Sequence, residues 1–552
     1  MSTMRIHKFL LATGSICLAG AMAAGQMPAA TANADQPASA SCEHLAALQL
    51  PNVTIAMAKP VSAGTFVGPP QDFSGADLSA FYKKLPAFCR IVAHDKPSTD
   101  SDIVIEVWVP LAGWNGKFQG VGNGGFAGQI DYVGLGEAVG KGYAAAATDT
   151  GHTGSPIDAA WALGHPEKVV DFGFRGIHEM TAVAKLVTRQ FYGRSPSHSY
   201  FASCSDGGRE ALMEAQRFPA DYDGILGGAP ANYWTALLST AVVDTQALTA
   251  TPASFIPPAK ISTIAHAVLA ACDKLDGVND GILNDPPECR FDPSSIECKD
   301  GEDSATCLTA PQVTALKEIY AGLQDADSHQ IFPGYLPGAE EGSNGWGTWI
   351  TGPSPAKSLL AFFGAGYFSN MVYEKADWDY KTFTLKSGLR MANEKTDAAL
   401  NAVNPDLSAF RARGGKLILY HGWDDPAIPA LSTVNYYESV KAKLGQASAV
   451  SFTRLYMVPG MQHCSGGPGA DNFGQSLSWT ADDPGHNVRI ALEDWVEKGV
   501  APTTIIATKT AGDNGQGAVT MTRPLCPYPQ FARYKGSGDP NRAENFVCTS
   551  PK

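Results

Sequence analysis

The stretch SYFASCSDGGRE, residues 199–210, reads as a strand that ends in small residues and turns at once into a helix opened by Gly207 and Gly208. Ser205 then sits on the sharp strand-to-helix turn that holds a nucleophilic serine clear of a sheet. The usual form of this turn has glycine where Ser203 stands, and serine is small enough to take its place. A serine in such a loop is commonly no more than a helix cap. Its neighbour argues otherwise. Cys204-Ser205 is answered far along the chain by His463-Cys464, inside VPGMQHCSGGPG. Were the two cysteines joined, their Cα atoms would lie roughly 4.4–6.8 Å apart and would bring the hydroxyl and the imidazole within reach of one another. A nucleophile and its general base have to be placed in that way.

The remaining parts of such a site can be sought in order. The acid that orients the histidine should follow a late strand and precede it in sequence. KLILYHGWDDPAIPA, residues 416–430, offers Asp424 and Asp425 there, and Asp425 is preferred because Pro426 fixes the backbone behind it. Either could instead close an Asx turn. His421 is a second candidate base, without the cysteine link. A tetrahedral intermediate needs two backbone donors: the N–H of Asp206, next after the serine, and one from the Gly-rich VGNGGFAG at 121–128, where Gly125 is the choice. No G-K-[ST] follows that loop, so it does not read as a phosphate cradle.

Outward from the elbow, short apolar runs at 103–111, 117–122, 143–148, 199–203, 224–229, 416–421 and 452–458 alternate with helical stretches such as 173–191 and 208–218. Continuous apolar runs of this kind suit buried parallel strands, and the alternation suits an α/β sheet wrapped by helices. The rhythm breaks between about 230 and 406, an interval rich in Pro, Gly, aromatics and cysteine that reads as an inserted domain. The expected organisation is a catalytic domain over 35–229 and 407–552, with 230–406 as its insertion.

The first 34 residues read as a signal peptide, with Arg5 and Lys8 ahead of an apolar stretch and small-residue cleavage sites after it. Export to the periplasm or the exterior is the expectation, with no membrane span in the mature chain. Of the eleven cysteines, Cys17 lies inside that leader and ten lie beyond it, an even number suited to a disulfide set. Spacing makes Cys272 with Cys289, Cys298 with Cys307 and Cys526 with Cys548 the cheap closures. Cys42 with Cys89 and Cys204 with Cys464 are the pairs that then remain, although spacing alone fixes no connectivity. The cysteines form no C-x-x-C pairs, which disfavours zinc. The net charge of −13 falls to about −15 once Arg5 and Lys8 leave, and no basic run offsets it, so nucleic acid is not an expected partner.

At these residues the chain resembles the tannase and feruloyl esterase family. The shared features are the C-S-x-G-G elbow at Cys204–Gly208, YHGWDDPAIP, VPGMQHCSGGPG, the DWDYKTF run at 377–383 and RPLCPYPQFARYKGSGD from Arg523, together spanning residue 42 to the C-terminus. Within that family it is also similar to a bacterial mono(hydroxyethyl) terephthalate hydrolase, notably in SYFASCSDGGREALMEAQRFP. The resemblance implies an α/β-hydrolase fold with a large inserted lid, a Ser205-Asp425-His463 triad, a Cys204–Cys464 bridge and a pocket for an aromatic acyl group. It also implies a structural calcium ion in CDKLDGVNDGILND, held by the carboxylates of Asp273, Asp276 and Asp280 and the carbonyls of Val278 and Ile282, an all-oxygen set suited to a hard cation. No organic cofactor is expected.

The expected reaction is serine-esterase hydrolysis of small aromatic esters, those of hydroxycinnamic or related phenolic acids first. Gallate esters and terephthalate monoesters are the alternatives. The terephthalate enzyme reads a free carboxylate with an arginine, and the lid segment between Trp346 and Lys381 supplies only Lys357 and Lys375 in its place. Trp346, Trp349, Phe362, Phe363, Tyr367, Phe368, Trp378 and Tyr380 are the aromatics available to line a pocket. Two other classes compete: a binding module for phenolics or carbohydrate, and a metal-dependent hydrolase using the Asp-rich loop.

Overall fold

A computed structural model describes residues 41–551 apart from 70–76, 300, 301, 303, 476–480 and 513–516. The expected leader, with Arg5, Lys8 and Cys17, lies outside the described residues. Nine strands form one mixed sheet: β1 (Val53–Val61), β2 (Phe88–Asp95), β3 (Ile103–Pro110), β4 (Lys117–Val121), β5 (Ala144–Thr148), β6 (His198–Cys204), β7 (Gly224–Gly228), β8 (Lys416–Gly422) and β9 (Thr453–Val458). Their order is β1-β2-β3-β5-β4-β6-β7-β8-β9. The pairs from β1 to β5 along this order are antiparallel, and every pair from β5 to β9 is parallel. Six of the seven apolar runs read from the sequence are the parallel strands β4 to β9, and the seventh, 103–111, is β3, antiparallel to both its neighbours. β1 and β2 were not among those runs: β1 has no buried position and β2 alternates buried with half-buried ones, so neither is a continuous apolar run.

Side chains along the parallel strands alternate between two buried faces, as the pleat requires. Phe118, Phe201, Ile225, Leu417 and Leu419 pack under helices α2 (Gly176–Tyr192), α3 (Asp206–Arg217) and α9 (Leu431–Leu444). Tyr200, Ala202, Leu226, Ile418 and Tyr420 pack on the other face under α1 (Tyr132–Gly140) and α10 (Val488–Lys498). α3 begins two residues earlier than the sequence reading placed it, since Asp206 already takes helical geometry straight after the turn. Gly208 lets this helix sit hard against β7: a Cβ there would lie 2.2 Å from the carbonyl oxygen of Gly228.

The chain leaves the sheet after β7 and rejoins it at β8. The excursion carries α4 (Trp234–Thr249), α5 (Ile261–Cys272), α6 (Ala310–Ala321), α7 (Leu359–Tyr367) and α8 (Leu385–Leu400). It has one core of its own, around Trp346, Tyr335, Leu316 and Ile264, and shares a second with the rest of the chain, where Tyr367, Phe368, Phe383 and Leu400 cluster with Phe126, Phe172 and Ile428. Five disulfides join Cys42–Cys89, Cys204–Cys464, Cys272–Cys289, Cys298–Cys307 and Cys526–Cys548. These are the pairs reached from spacing and from the family resemblance. Among the described residues no helix is long and apolar enough to cross a membrane.

Candidate active site

Ser205 stands between β6 and α3 with φ 68° and ψ −123°, a conformation that costs a non-glycine residue on the order of 1–3 kcal/mol. The turn is held by its surroundings. The N–H of Ser205 donates to the Gly228 carbonyl at 3.0 Å, and its own carbonyl accepts from Gly208, Arg209 and Ala231. The strained backbone presents the side chain to the space above the parallel strands.

His463 and Asp425 come to the same point from the loops after β9 and β8. His463 Nε2 lies 2.8 Å from Ser205 Oγ, and His463 Nδ1 lies 2.8 Å from Asp425 Oδ2. The other carboxylate oxygen of Asp425 accepts the N–H groups of Ala427 and Ile428 at 2.8 and 2.9 Å, so the acid also closes the turn behind Pro426. Burial would raise this carboxyl, but the charge of His463 and the hydrogen bonds from His421 and His463 outweigh it and hold the group far below the usual carboxylate range. His421 is fully buried with Nε2 3.1 Å from Asp425 Oδ2 and Nδ1 2.7 Å from Thr433 Oγ1, so it braces the acid from behind. Asp424 points elsewhere. Burial and then the charge of Glu340 push its carboxyl well above the ordinary value. The Cys204–Cys464 bridge, with Cα atoms 6.0 Å apart, ties the residue before the serine to the residue after the histidine.

The backbone donors expected for an oxyanion lie in two turns bound to each other. Asp206 opens α3, where the helix dipole adds positive potential. Gly125 has φ +59°, and a Cβ on it would fall 2.3 Å from the Pro156 carbonyl, so only glycine fits. Among the described residues neither N–H has an acceptor. The Gly-rich turn is braced by the Phe126 N–H donating to the Pro156 carbonyl at 2.7 Å and by His152 Nε2–H donating to the Phe126 carbonyl at 2.8 Å. Burial pushes His152 down to about 4, which keeps that ring neutral.

Above the serine is a cavity of about 320 Å³. Trp234, Leu237, Leu238, Trp349, Phe363 and Ile428 give it apolar walls. The Trp349 and Phe363 rings are nearly parallel, 10° apart with centroids separated by 6.3 Å, and Trp349 meets the His463 ring edge-on at 5.0 Å. Asn344 accepts from Trp349 Nε1 at 2.8 Å and donates to the His463 carbonyl at 3.3 Å, so the inserted region grips the histidine loop. Of the eight aromatics considered, only Trp349 and Phe363 reach the cavity. Trp346 is buried in the insertion's own core, Tyr367 and Phe368 in the shared one, Phe362 is exposed, and Trp378 packs on Phe368. Tyr380 also lies outside the lining. Neither Lys357, over the Phe362 ring, nor Lys375, 3.8 Å from Asp377, lines it. Trp234, Leu237 and Leu238 were missed, although WTALLSTAVV is apolar all round, the mark of a helix buried on every side.

The Asp-rich loop lies apart from this cavity. Asp273 accepts the Gly281 N–H at 3.1 Å, Asp276 accepts Asn284 Nδ2 at 2.6 Å, and Asp280 takes Arg523 Nη2 at 2.7 Å. Burial and repulsion from Asp280 raise both Asp273 and Asp276, the latter to about 6. The Val278 and Ile282 carbonyls accept no hydrogen bond among the described residues. Carboxylates and open carbonyls are the donor types a hard divalent cation takes, but among the described residues the only carboxylate and imidazole group gathered within 4.8 Å is the exposed Asp325, Asp327 and His329, not these three.

Comparison with known proteins shows what the chain as a whole is similar to. The profile described as tannase and feruloyl esterase matches residues 89–549. An uncharacterized esterase of Xanthomonas campestris is 41% identical, covering 93% of this chain and 92% of its own. A probable feruloyl esterase B of Aspergillus clavatus is 33% identical over 91% and 94% of the two chains. The crystal structure of feruloyl esterase B from Aspergillus oryzae superposes with a TM-score of 0.83 at 29% identity, covering 92% of this chain and 99% of that one.

Proposed function

The chain belongs to the tannase and feruloyl esterase family and is a carboxylic ester hydrolase, and from that premise we propose that it is a secreted serine esterase of aromatic acids. The reading is carried by one observation: a serine, histidine and aspartate in a continuous hydrogen-bonded row under an apolar, aromatic-walled cavity. Ser205 Oγ attacks the ester carbonyl while His463 Nε2 takes its proton. Asp425 holds the imidazole through Nδ1 and stabilises its charged form. The N–H groups of Gly125 and Asp206 receive the oxyanion. His463 then returns the proton to the departing alcohol, and water releases the acid from the acyl-serine by the same steps.

Esters of hydroxycinnamic or related phenolic acids suit the cavity best, because among the described residues no lysine or arginine lines it to pair a second carboxylate. Side-by-side assay of methyl ferulate, chlorogenate, methyl gallate and a terephthalate monoester tests this. The phenolic esters should lead in kcat/KM, and a terephthalate preference would overturn the substrate assignment. Secretion is supported by the five disulfides, which persist in oxidising compartments. Asp273, Asp276 and Asp280 with the Val278 and Ile282 carbonyls would hold a calcium ion in a structural role. None of those five residues lines the cavity at Ser205, so no catalytic step passes through the ion.

A further inference from the structure

We infer that Glu210 is a positioning residue that sets the spacing of the two oxyanion donors, an inference that rests on the reading of Ser205 as nucleophile. Glu210 lies one turn into α3, four residues after Asp206, and is 1% exposed. Its Oε2 leaves the helix and accepts the N–H of Asn123 at 2.9 Å, at the exit of β4. The Asn123 carbonyl in turn accepts the N–H of Gly207 at 2.8 Å. These two bonds bracket the oxyanion donors: Gly125 is two residues beyond Asn123, and Asp206 immediately precedes Gly207. The two donors come from separate elements, and this link is what fixes one turn against the other. Asn123 is locked from its other side, since Nδ2 donates to the Gln129 carbonyl at 3.0 Å and to the Thr148 carbonyl at 2.9 Å.

A second observation shows that the backbone is built around this carboxyl. An ideal Cβ on Gly122 would stand 2.4 Å from Glu210 Oε2, so the residue directly after β4 is a glycine that lets the acid reach the peptide beyond it. The chemistry also selects how the group must act. A carboxylate and a carboxamide oxygen both accept a backbone N–H, but a fixed negative charge below the elbow would oppose the oxyanion forming above it. The role is therefore met by an uncharged acceptor of this shape, and glutamine should fill it.

The test compares Glu210→Gln and Glu210→Leu. Loss of donor placement acts only in the transition state, so Glu210→Leu should lower kcat on methyl ferulate about 100-fold with KM within about twofold. Affinity for an aryl boronate, which forms a tetrahedral adduct on the serine, should fall in parallel, while inhibition by the product ferulate stays unchanged. Glu210→Gln should restore kcat to within about threefold of the parent. Equal loss of boronate and ferulate affinity, or unchanged kcat in Glu210→Leu, would overturn the proposal by leaving Glu210 a packing residue. Should Glu210→Leu fail to fold, Gly122→Ala, whose methyl would press on the same carboxyl and also on Phe201 and Ser203, is expected to lower kcat and boronate affinity together, and unchanged kcat there counts equally against the proposal. Organophosphonate labelling of Ser205 in the parent protein checks the nucleophile separately, so a failure of that reading is told apart from a failure of this one.

Discussion

At the residue scale, the row Ser205, His463 and Asp425 works because each group has the partner its charge state requires. Asp425 is buried, yet two histidines and two backbone N–H groups surround its carboxylate, and the unpaired cost of a buried anion is avoided. Asp425→Asn would keep the turn that accepts from Ala427 and Ile428 but could stabilise the wrong tautomer of His463. The expected outcome is a fall in kcat on the order of 10⁴-fold with the fold intact, read by steady-state kinetics beside circular dichroism. Both acidic candidates were legible in DDP, and the choice between them rested on Pro426. Both are buried, and their partners separate them: His463 and His421 hold Asp425 low, while Asp424 has no such partner among the described residues and is pushed up by burial and the charge of Glu340. Glu210 was silent in the sequence, because nothing in SDGGRE shows that the helix would turn this side chain back under the loop after β4.

At the element scale, the serine turn, the loop after β8 and the loop after β9 are brought together by parallel pairing and then fastened by a disulfide. Cys204 lies on β6 beside Gly228 of β7, and β7 pairs directly with β8, so the sheet delivers the serine and the acid to the same edge. Closing a loop of 260 residues is worth roughly 5 kcal/mol in the chain-entropy account. Replacing both Cys204 and Cys464 by serine should lower the urea midpoint and also reduce kcat, since the histidine loses its tether to the elbow. A variant that loses stability but keeps full kcat at low temperature would show the bridge to be a staple only. The parallel strands were readable as continuous apolar runs, and the elbow as small residues before Gly207-Gly208. β1 and β2 were not, since polar residues such as Thr54, Lys59, Arg90 and His94 interrupt their apolar positions. The cavity wall was read only in part, because an aromatic residue in an inserted helix gives no sign of whether it faces the site or its own core: Trp349 does the first and Trp346 the second.

At the scale of the whole molecule, the catalytic sheet and the inserted helices meet over Ser205, and the insertion contributes both the aromatic wall and the grip on the histidine loop. The Asp-rich loop fastens that insertion to the C-terminal strands through Asp280 and Arg523. With calcium in a structural role, chelation should lower the melting temperature, and activity should decay only as the fold is lost, rather than at once with the fold intact. Activity and circular dichroism recorded together during chelation decide between the two. The claim on which the rest depends is that Ser205 is the atom acylated. Mass spectrometry of the protein after inactivation by an organophosphonate tests it most directly: the account predicts one adduct per chain, on the peptide carrying Ser205, rising in step with loss of aryl-ester hydrolysis. Full inactivation with the adduct elsewhere, or labelled Ser205 with hydrolysis undiminished, would contradict it.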